Sequence, residues 1–357
     1  MTTSLRWGVL GVSRIARAQM AAALASAPRS RVSAVASRRA HAARGLADEL
    51  GAEPYGSYAA LLQSPDVDAV YVSVPNSLHV GLVAAALRAG KHVLCEKPIA
   101  CDPRTVDELF SMAESADLHL MEGLMWRFQP RIDRARELVA KGAIGEIRII
   151  RARYTFSFAA AVGAGLGPDD DHRLNSRLAG GAINDLAPYC VDAIHLFSQR
   201  DPGRVAAFAR WGAEVEGSVV SVLELGSAAL GELTVSFEAP GGGSIEIQGT
   251  SGMLRMPHPF RPPPGMEEAV IELVALDGTT QTERFAVADP YVAEVAHFVS
   301  VVYGESGPQI SRRDSVTNAR VLDALHRAIG DEAVPVSQPA NVPTTPQKGQ
   351  EHHGIRD

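Results

Sequence analysis

The sequence predicts an α/β protein in which a doubly wound parallel half is followed by a domain built on a mostly antiparallel sheet. Three observations predict it. From residue 5 to about 125 short apolar runs alternate with amphipathic stretches of helical length; after about 126 the texture changes to strand, turn, strand; and 357 residues are long for one core and comfortable for two.

The first half reads as strand then helix, repeated. "LRWGVLG" leads to "RIARAQMAAALASA", "RVSAVAS" to "RAHAARGLADELG", "AVYVSVP" to "HVGLVAAALRAG", and "HVLCEKP" to "RTVDELFSMAESA", with "HLMEGL" closing the series. Continuous apolar strands of this kind are those of a parallel sheet covered by helices on both faces. In the second half a helix, "RIDRARELVAKG", precedes "IRIIRARYTFSF", in which Ile150, Ala152, Tyr154, Phe156 and Phe158 share one face and Arg151, Arg153, Thr155 and Ser157 the other. That strand is half buried. "SVVSVLELGSAALGELTVSFEA", "SIEIQGTSGMLRMP" and "AVIELVALDGTTQTERFAV" each read as a strand pair, the last turning at Asp277-Gly278 through a primed turn with two positive φ angles. Two late helices, "YVAEVAHFVSVVYG" and "RDSVTNARVLDALHRA", end the second unit. The chain divides at 1–125, 126–332 and a tail, 333–357, whose Pro, Gln and Thr content predicts disorder.

A net charge of -7 disfavours nucleic acid as a partner, and no segment has the ~20 apolar residues that a membrane helix requires. Cys95, Cys101 and Cys190 form no CxxC pair, and "MTTSLRWGVLG" lacks a basic and apolar leader, so the expected place is the cytoplasm. The eleven histidines lack ligand spacing, which predicts no metal site. Cys95 reads as a packed strand residue, and the Arg148, Arg151 and Arg153 face as a solvated one, with a phosphate site as the alternative.

After the first strand, "GVLGVSRIA" places Gly11, Ser13, Arg14, Ile15 and Ala16 where backbone amides and a helix start receive a pyrophosphate, with Ser13 in the position of the second glycine. An ordinary strand-to-helix turn is the alternative. The second strand ends in Ser37-Arg38-Arg39 rather than in the acidic residue that bonds a ribose 2′-hydroxyl. A hydroxyl and guanidinium groups suit a 2′-phosphate, so the inferred cofactor is NADP; the alternative is arginines that decorate an exposed helix start.

"GKHVLCEKPIA" leaves Lys97 just past a strand's carboxyl end, the edge of an α/β sheet where ligands bind. It either hydrogen-bonds a substrate oxygen or pairs with Glu96 as a loop lysine. In "GGAINDLAPYCVDAIHLF", Asp185, Tyr189 and Asp192 fall on one helical stripe, a phenol and two carboxylates together; alternatively Asp185 caps the helix and Tyr189 is a partly buried aromatic.

"DVDAVYVSVPNSLHVGLVAAALRAGKHVLCEKPIA" with "AGGAINDLAPYCVD" resembles the Gfo/Idh/MocA oxidoreductase family, over residues 5 to 330. The resemblance implies a Rossmann domain, a substrate domain on an open-faced antiparallel sheet, and homodimers or homotetramers through that face. It implies that Lys97, Asp185 and Tyr189 are catalytic, that Glu96, Pro75 and Asn76 line the cofactor, and that Arg127 stands beside the nicotinamide. His79 is counted with that cofactor set, although by itself it reads as structural, like His195. Tyrosine at 189 with "MEGLMWRFQP" resembles the glucose-fructose oxidoreductase, xylose dehydrogenase and dihydrodiol dehydrogenase branch. Two departures, Ala179 for a helix-leading glycine and Ala187-Pro188 for a glycine and a small residue, bear on the pocket's shape.

The expected activity is NADP-dependent hydride transfer at a hydroxyl or keto carbon of a sugar or polyol. Such transfer needs a proton carrier near working pH, and Lys97 is expected to lower the pKa of Tyr189 toward it while Asp185 orients hydroxyls, or to carry the proton itself. The alternatives are a ketoreductase of a nucleotide-linked deoxysugar, a dihydrodiol dehydrogenase, and, from another class, a non-catalytic NADP sensor.

Overall fold

In the computed structural model the chain is described at residues 4–158 and 171–330; the tail expected to be disordered lies outside them. Six parallel strands form the first sheet: β1 (Leu5–Leu10), β2 (Ser30–Ala36), β3 (Glu53–Tyr55), β4 (Ala69–Val72), β5 (His92–Glu96) and β6 (Leu120–Gly123), in the order β3-β2-β1-β4-β5-β6. This is the Rossmann order, and its strand sequence reverses between β1 and β4. Alternate residues feed opposite faces. Trp7, Val9, Tyr71 and Leu94 belong to one buried cluster, and Leu10, Val70, Val72, Val93 and Cys95 to the other. Helices α1 (Ala21–Ser26, led in by a π turn at Ala16–Met20), α2 (Ala40–Leu50), α3 (Tyr58–Leu62), α4 (His79–Arg88) and α5 (Pro103–Ser115) supply the cover. Cys95 is fully buried, as its place in a strand predicts.

The strand β3 went unread because three residues at a sheet edge carry too little pattern. Beyond α6 (Pro130–Ala140) the second sheet has eight strands: β7 (Ile147–Ser157), β8 (Val205–Trp211), β9 (Glu216–Leu225), β10 (Ala229–Ser236), β11 (Glu238–Gly249), β12 (Gly252–Pro257), β13 (Glu268–Ala275) and β14 (Thr280–Ala286). Their order is β14-β13-β12-β11-β7-β10-β9-β8, antiparallel throughout except for the parallel pair β7 and β10. On the inner face Ile150, Ala152, Leu233, Val235, Ile245 and Ile247 share a core with Val191 and Ile194 of a covering helix, α8 (Ala187–Ser198), which follows a single helical turn, α7 (Ala182–Asp185). The sequence reading missed β8 because Phe208 and Trp211 point outward, 68% and 57% exposed, and so blur the alternation.

Two local expectations need correction. The β13–β14 turn has positive φ at Gly278 alone, since the Asp277 carboxylate accepts the Thr279 N–H at 2.9 Å and Leu276 and Asp277 keep ordinary φ; it is not a primed turn. Of the last helices, which fall in the second unit by sequence, α9 (Pro290–Val302) packs on the first sheet, and α10 (Arg312–Gly330) lies between α5 and the α8 and β8 side of the second unit. Phe298 of α9 packs on Trp7 with ring centroids 5.2 Å apart, and Arg312 of α10 reaches Asp107 and Glu114 of α5 at 2.7 Å. α9 lies beside the short α1 on the first sheet.

Candidate active site

Lys97 follows β5, and Asp185 ends α7; the fold brings them together. The Lys97 ammonium donates to the Asp185 carboxylate at 2.7 Å and to the Asp185 backbone carbonyl at 2.5 Å. That carbonyl is free because the helix breaks. Pro188 has no N–H, and the Tyr189 N–H turns to the Leu186 carbonyl instead. Asp185 is therefore no N-cap, contrary to one of its readings. The cap role falls to Glu216 of β9, which accepts the Ile183 N–H at 2.9 Å; a Cβ on Gly181, φ +107, would stand 2.2 Å from that carboxylate. Ala179, three residues before α7, has φ 55 and ψ 48, the left-handed region, which is the physical sense of a glycine there. Burial raises the Asp185 pKa, but Lys97 and Arg173 outweigh it, and the net shift is downward.

Tyr189 lies in an aromatic wall. Its ring centroid is 5.4 Å from Tyr154 and 5.6 Å from Phe260, and Lys97 Nζ stands 5.0 Å above its face. The hydroxyl meets only Met125 Sδ, at 3.8 Å, among the described residues. The expected pKa depression is reversed: burial pushes the phenol well up, with Tyr291 and Glu96 adding to it. The reason is position. Lys97 sits over the ring rather than at the oxygen, and Asp185 balances its charge.

The neighbouring sheet edge fits a dinucleotide. Gly11 has φ +100, and a Cβ there would lie 2.2 Å from the Ser73 carbonyl, so β1 and β4 close on a turn that only glycine makes. Ser13 Oγ is 2.5 Å from Ser73 Oγ and accepts the Ala16 N–H at 3.1 Å, which uses within the fold the hydroxyl read as facing a pyrophosphate. Arg14 is half exposed beside it, and Ile15 packs against the core. At the end of β2, Ser37 Oγ accepts the Arg39 N–H at 3.2 Å, and the exposed Arg38 and Arg39 have no ion pair among the described residues. Pro75 precedes a 3-10 turn whose Asn76 donates to the Ala179 carbonyl at 2.9 Å, joining the two halves. Glu96 accepts from the Tyr71 hydroxyl at 2.6 Å, and burial raises its pKa against the pull of Lys97.

Two expected cofactor contacts are spoken for elsewhere. The fully buried His79 ring lies between the Pro98 and Val74 carbonyls, at 2.8 and 2.9 Å, and burial lowers its pKa against those two bonds. The Arg127 guanidinium is buried against Asp192, Asp314 at 3.1 Å and the Gln309 carbonyl at 3.1 Å, so it is not available to a nicotinamide. Asp192, which also accepts from Trp126 at 2.8 Å, thereby leaves the catalytic stripe for the junction of α8 with the loop after β6. Arg151 pairs with Glu232 and Glu246 at 3.0 Å, so that outer face is an ion-paired one.

Sequence reasoning missed Arg173, which forks onto Asp171 and lies 3.8 Å from Asp185. No local pattern marks it. Tyr154 could have been found, since the alternation in β7 already put its phenol on the inner face.

Residues 5–124 match the model of an oxidoreductase family with an NAD-binding Rossmann fold, GFO_IDH_MocA, and residues 132–255 match the GFO/IDH/MocA C-terminal domain. The chain is 36% identical to a D-xylose 1-dehydrogenase (NADP(+)) of Haloferax volcanii over 91% of this chain and 97% of that one. It is 32% identical to a dTDP-3,4-didehydro-2,6-dideoxy-alpha-D-glucose 3-reductase of Actinomadura kijaniata over 92% and 96% of the two chains. The crystal structure of KijD10, a 3-ketoreductase from Actinomadura kijaniata in complex with NADP and TDP-benzene, superposes with a TM-score of 0.84 at 31% identity, covering 91% of this chain and 98% of that one.

Proposed function

Because this chain belongs to the Gfo/Idh/MocA oxidoreductase family, we propose that it transfers a hydride between NADP and a hydroxyl or keto carbon of a sugar or polyol. The observation that carries the reading is the Lys97–Asp185 pair against the face of Tyr189, beside the glycine turn of β1. Gly11 and the turn after it, with Ser37, Arg38 and Arg39, would hold NADP, which would supply or accept the hydride. The chain's own residues manage the proton. The Lys97 ammonium, held by Asp185, polarises the substrate oxygen; in reduction the neutral Tyr189 phenol gives its proton to that oxygen and becomes a phenolate that solvent reprotonates, and in oxidation the phenol must first lose its proton to solvent so that the phenolate can take the hydroxyl proton. The aromatic wall of Tyr154, Tyr189 and Phe260 offers stacking surface to a sugar ring and keeps water out.

The division near residue 125 remains our proposal for the roles of the two units, cofactor before it and substrate after it, with α9 and α10 bracing the first sheet. The open outer face of the second sheet carries Phe208, Trp211, Val220, Val222 and Leu230, 44% to 68% exposed, next to the ion-paired row of Arg151, Glu232 and Glu246. An apolar area of that kind supports a homo-oligomer through this face. Three free cysteines support a reducing, cytoplasmic setting. Among the described residues no helix is long and apolar enough to cross a membrane.

The test is a turnover screen that follows NADPH formation on aldoses and polyols and NADPH consumption on keto-sugars. Hydride transfer on at least one of these classes is expected. NADP binding without turnover on any of them would leave the sensor reading instead.

A further inference from the structure

Asn184, which stands directly before Asp185, uses the whole hydrogen-bonding capacity of its side chain. Its amide nitrogen donates to the Ala179 and Gly180 carbonyls, each at 3.1 Å. Its amide oxygen accepts from the Cys101 thiol at 3.0 Å and from His326 Nε2 of α10 at 2.8 Å. The amide cannot be reversed, because its oxygen would then face two carbonyl oxygens, and the same constraint puts a proton on His326 Nε2. A buried amide bonded in this way has one orientation.

These bonds lie where the Lys97–Asp185 pair needs support. A single helical turn does not hold its own shape, and α7 has only four residues. Glu216 fixes its start through the Ile183 N–H, and Asn184 folds back over the left-handed Ala179 turn to fix its end. The Ala179 carbonyl also accepts from Asn76, after β4. Lys97 bonds to Asp185, and Cys101, at the other end of the segment 97–101, bonds to Asn184. Adjacent residues of α7 thus grip both ends of one segment, which sets the lysine's direction of approach as well as its distance. His326 braces that grip from α10. We propose that Asn184 is a positioning residue for the reaction: through Cys101 and the Ala179 turn it holds Lys97 and Asp185 in the geometry in which the ammonium meets the substrate oxygen. This rests on the hydride-transfer reading, and its effect reaches the reaction through the Lys97–Asp185 pair.

The test uses the full chain and three variants. Asn184→Leu keeps the side chain's size and removes its hydrogen bonds, His326→Ala removes one bond from the half-buried far end, and His326→Gln restores an N–H at similar reach. The first readout needs no turnover: acetylation by acetic anhydride followed by peptide mass spectrometry, with Lys91 and Lys141 as internal references. Lys97 is expected to react about fivefold or more faster in Asn184→Leu, about twofold faster in His326→Ala and at the parent's rate in His326→Gln, the reference lysines being unchanged. The second readout is steady-state kinetics on the best substrate of the turnover screen. There kcat should fall about tenfold to a hundredfold in Asn184→Leu, less in His326→Ala and not in His326→Gln, with KM and the Kd of NADP within about twofold of the parent. Faster acetylation in variants of a parent that turns nothing over would overturn the hydride reading and leave the grip on Lys97 standing. An Asn184→Leu protein that is merely less stable, with labelling and kcat as in the parent, would overturn the positioning role. With turnover in the parent, a change in one readout without the other, or a weakened Kd of NADP, would overturn it as well. If Asn184→Leu does not fold, the His326 pair decides, and equal labelling and kcat for Ala and Gln would sink the proposal.

Discussion

Lys97 joins two parts of the chain that are 88 residues apart, and its two bonds to Asp185 explain why a lysine rather than an arginine stands there: a single ammonium donates to a carboxylate and a carbonyl and still faces the cleft. Lys97→Met and Tyr189→Phe are each expected to lower kcat by about 10²- to 10⁴-fold, with the Kd of NADP within about twofold of the parent, measured by steady-state kinetics and fluorescence titration. Near-normal turnover in both would end the proposed proton route. Ala179 makes a different prediction. Left-handed backbone costs a residue with a Cβ about 1–2 kcal/mol, partly offset by the greater freedom of an unfolded glycine, so Ala179→Gly should raise stability by roughly 0.5–1 kcal/mol in urea unfolding. A loss of stability would mean that the Ala179 methyl packs more than its geometry costs. Lys97, Asp185 and Tyr189 were legible because each lies in a short recognisable stretch. Arg173 was not, since a guanidinium in a loop carries no sign of what it will face.

Strands and helices were legible in proportion to how regularly they bury their side chains. In β4 and β5 successive residues alternate between two buried faces, and both strands were read as such. In β8 and β9 the outward residues are themselves apolar, and the alternation that separates core from solvent fails. That failure is informative, because an outward Phe208 beside Val220 is costly to leave in water. Phe208→Asp is expected to shift the assembly toward monomers in light scattering while far-UV circular dichroism stays unchanged. If Phe208→Asp keeps the parent's mass, the open face is not the interface. The helix stripe from Asp185 to Asp192 was misread as continuous. Pro188 splits it, and the split both frees the Asp185 carbonyl for Lys97 and turns Asp192 to the junction.

For the whole molecule, the two sheets are held at a fixed relation by the buried Arg127 network. Its guanidinium meets Asp192 of α8, Asp314 of α10 and the Gln309 carbonyl, and Gln309 donates back to the Arg127 carbonyl at 2.9 Å. Removing one partner of a buried ion pair leaves a charge without water or counter-ion. Asp192→Ala should therefore cost about 3–5 kcal/mol of unfolding free energy, far more than an exposed carboxylate in the same protein. A loss below about 1 kcal/mol would show that the junction does not depend on this pair.

The sequence by itself determined the two-sheet architecture, the glycine turn at Gly11, the arginines at the end of β2 and the three polar residues of the site. These follow from local regularities, namely side-chain period, allowed φ and the chemistry of short motifs. Only the tertiary structure decided that Lys97 lies on the ring face of Tyr189 and that Arg127 ties the segment after β6 to α8 and α10. Charge and burial act through space, and Arg14 and Arg173 meet at Asp171 only after the chain has closed on itself.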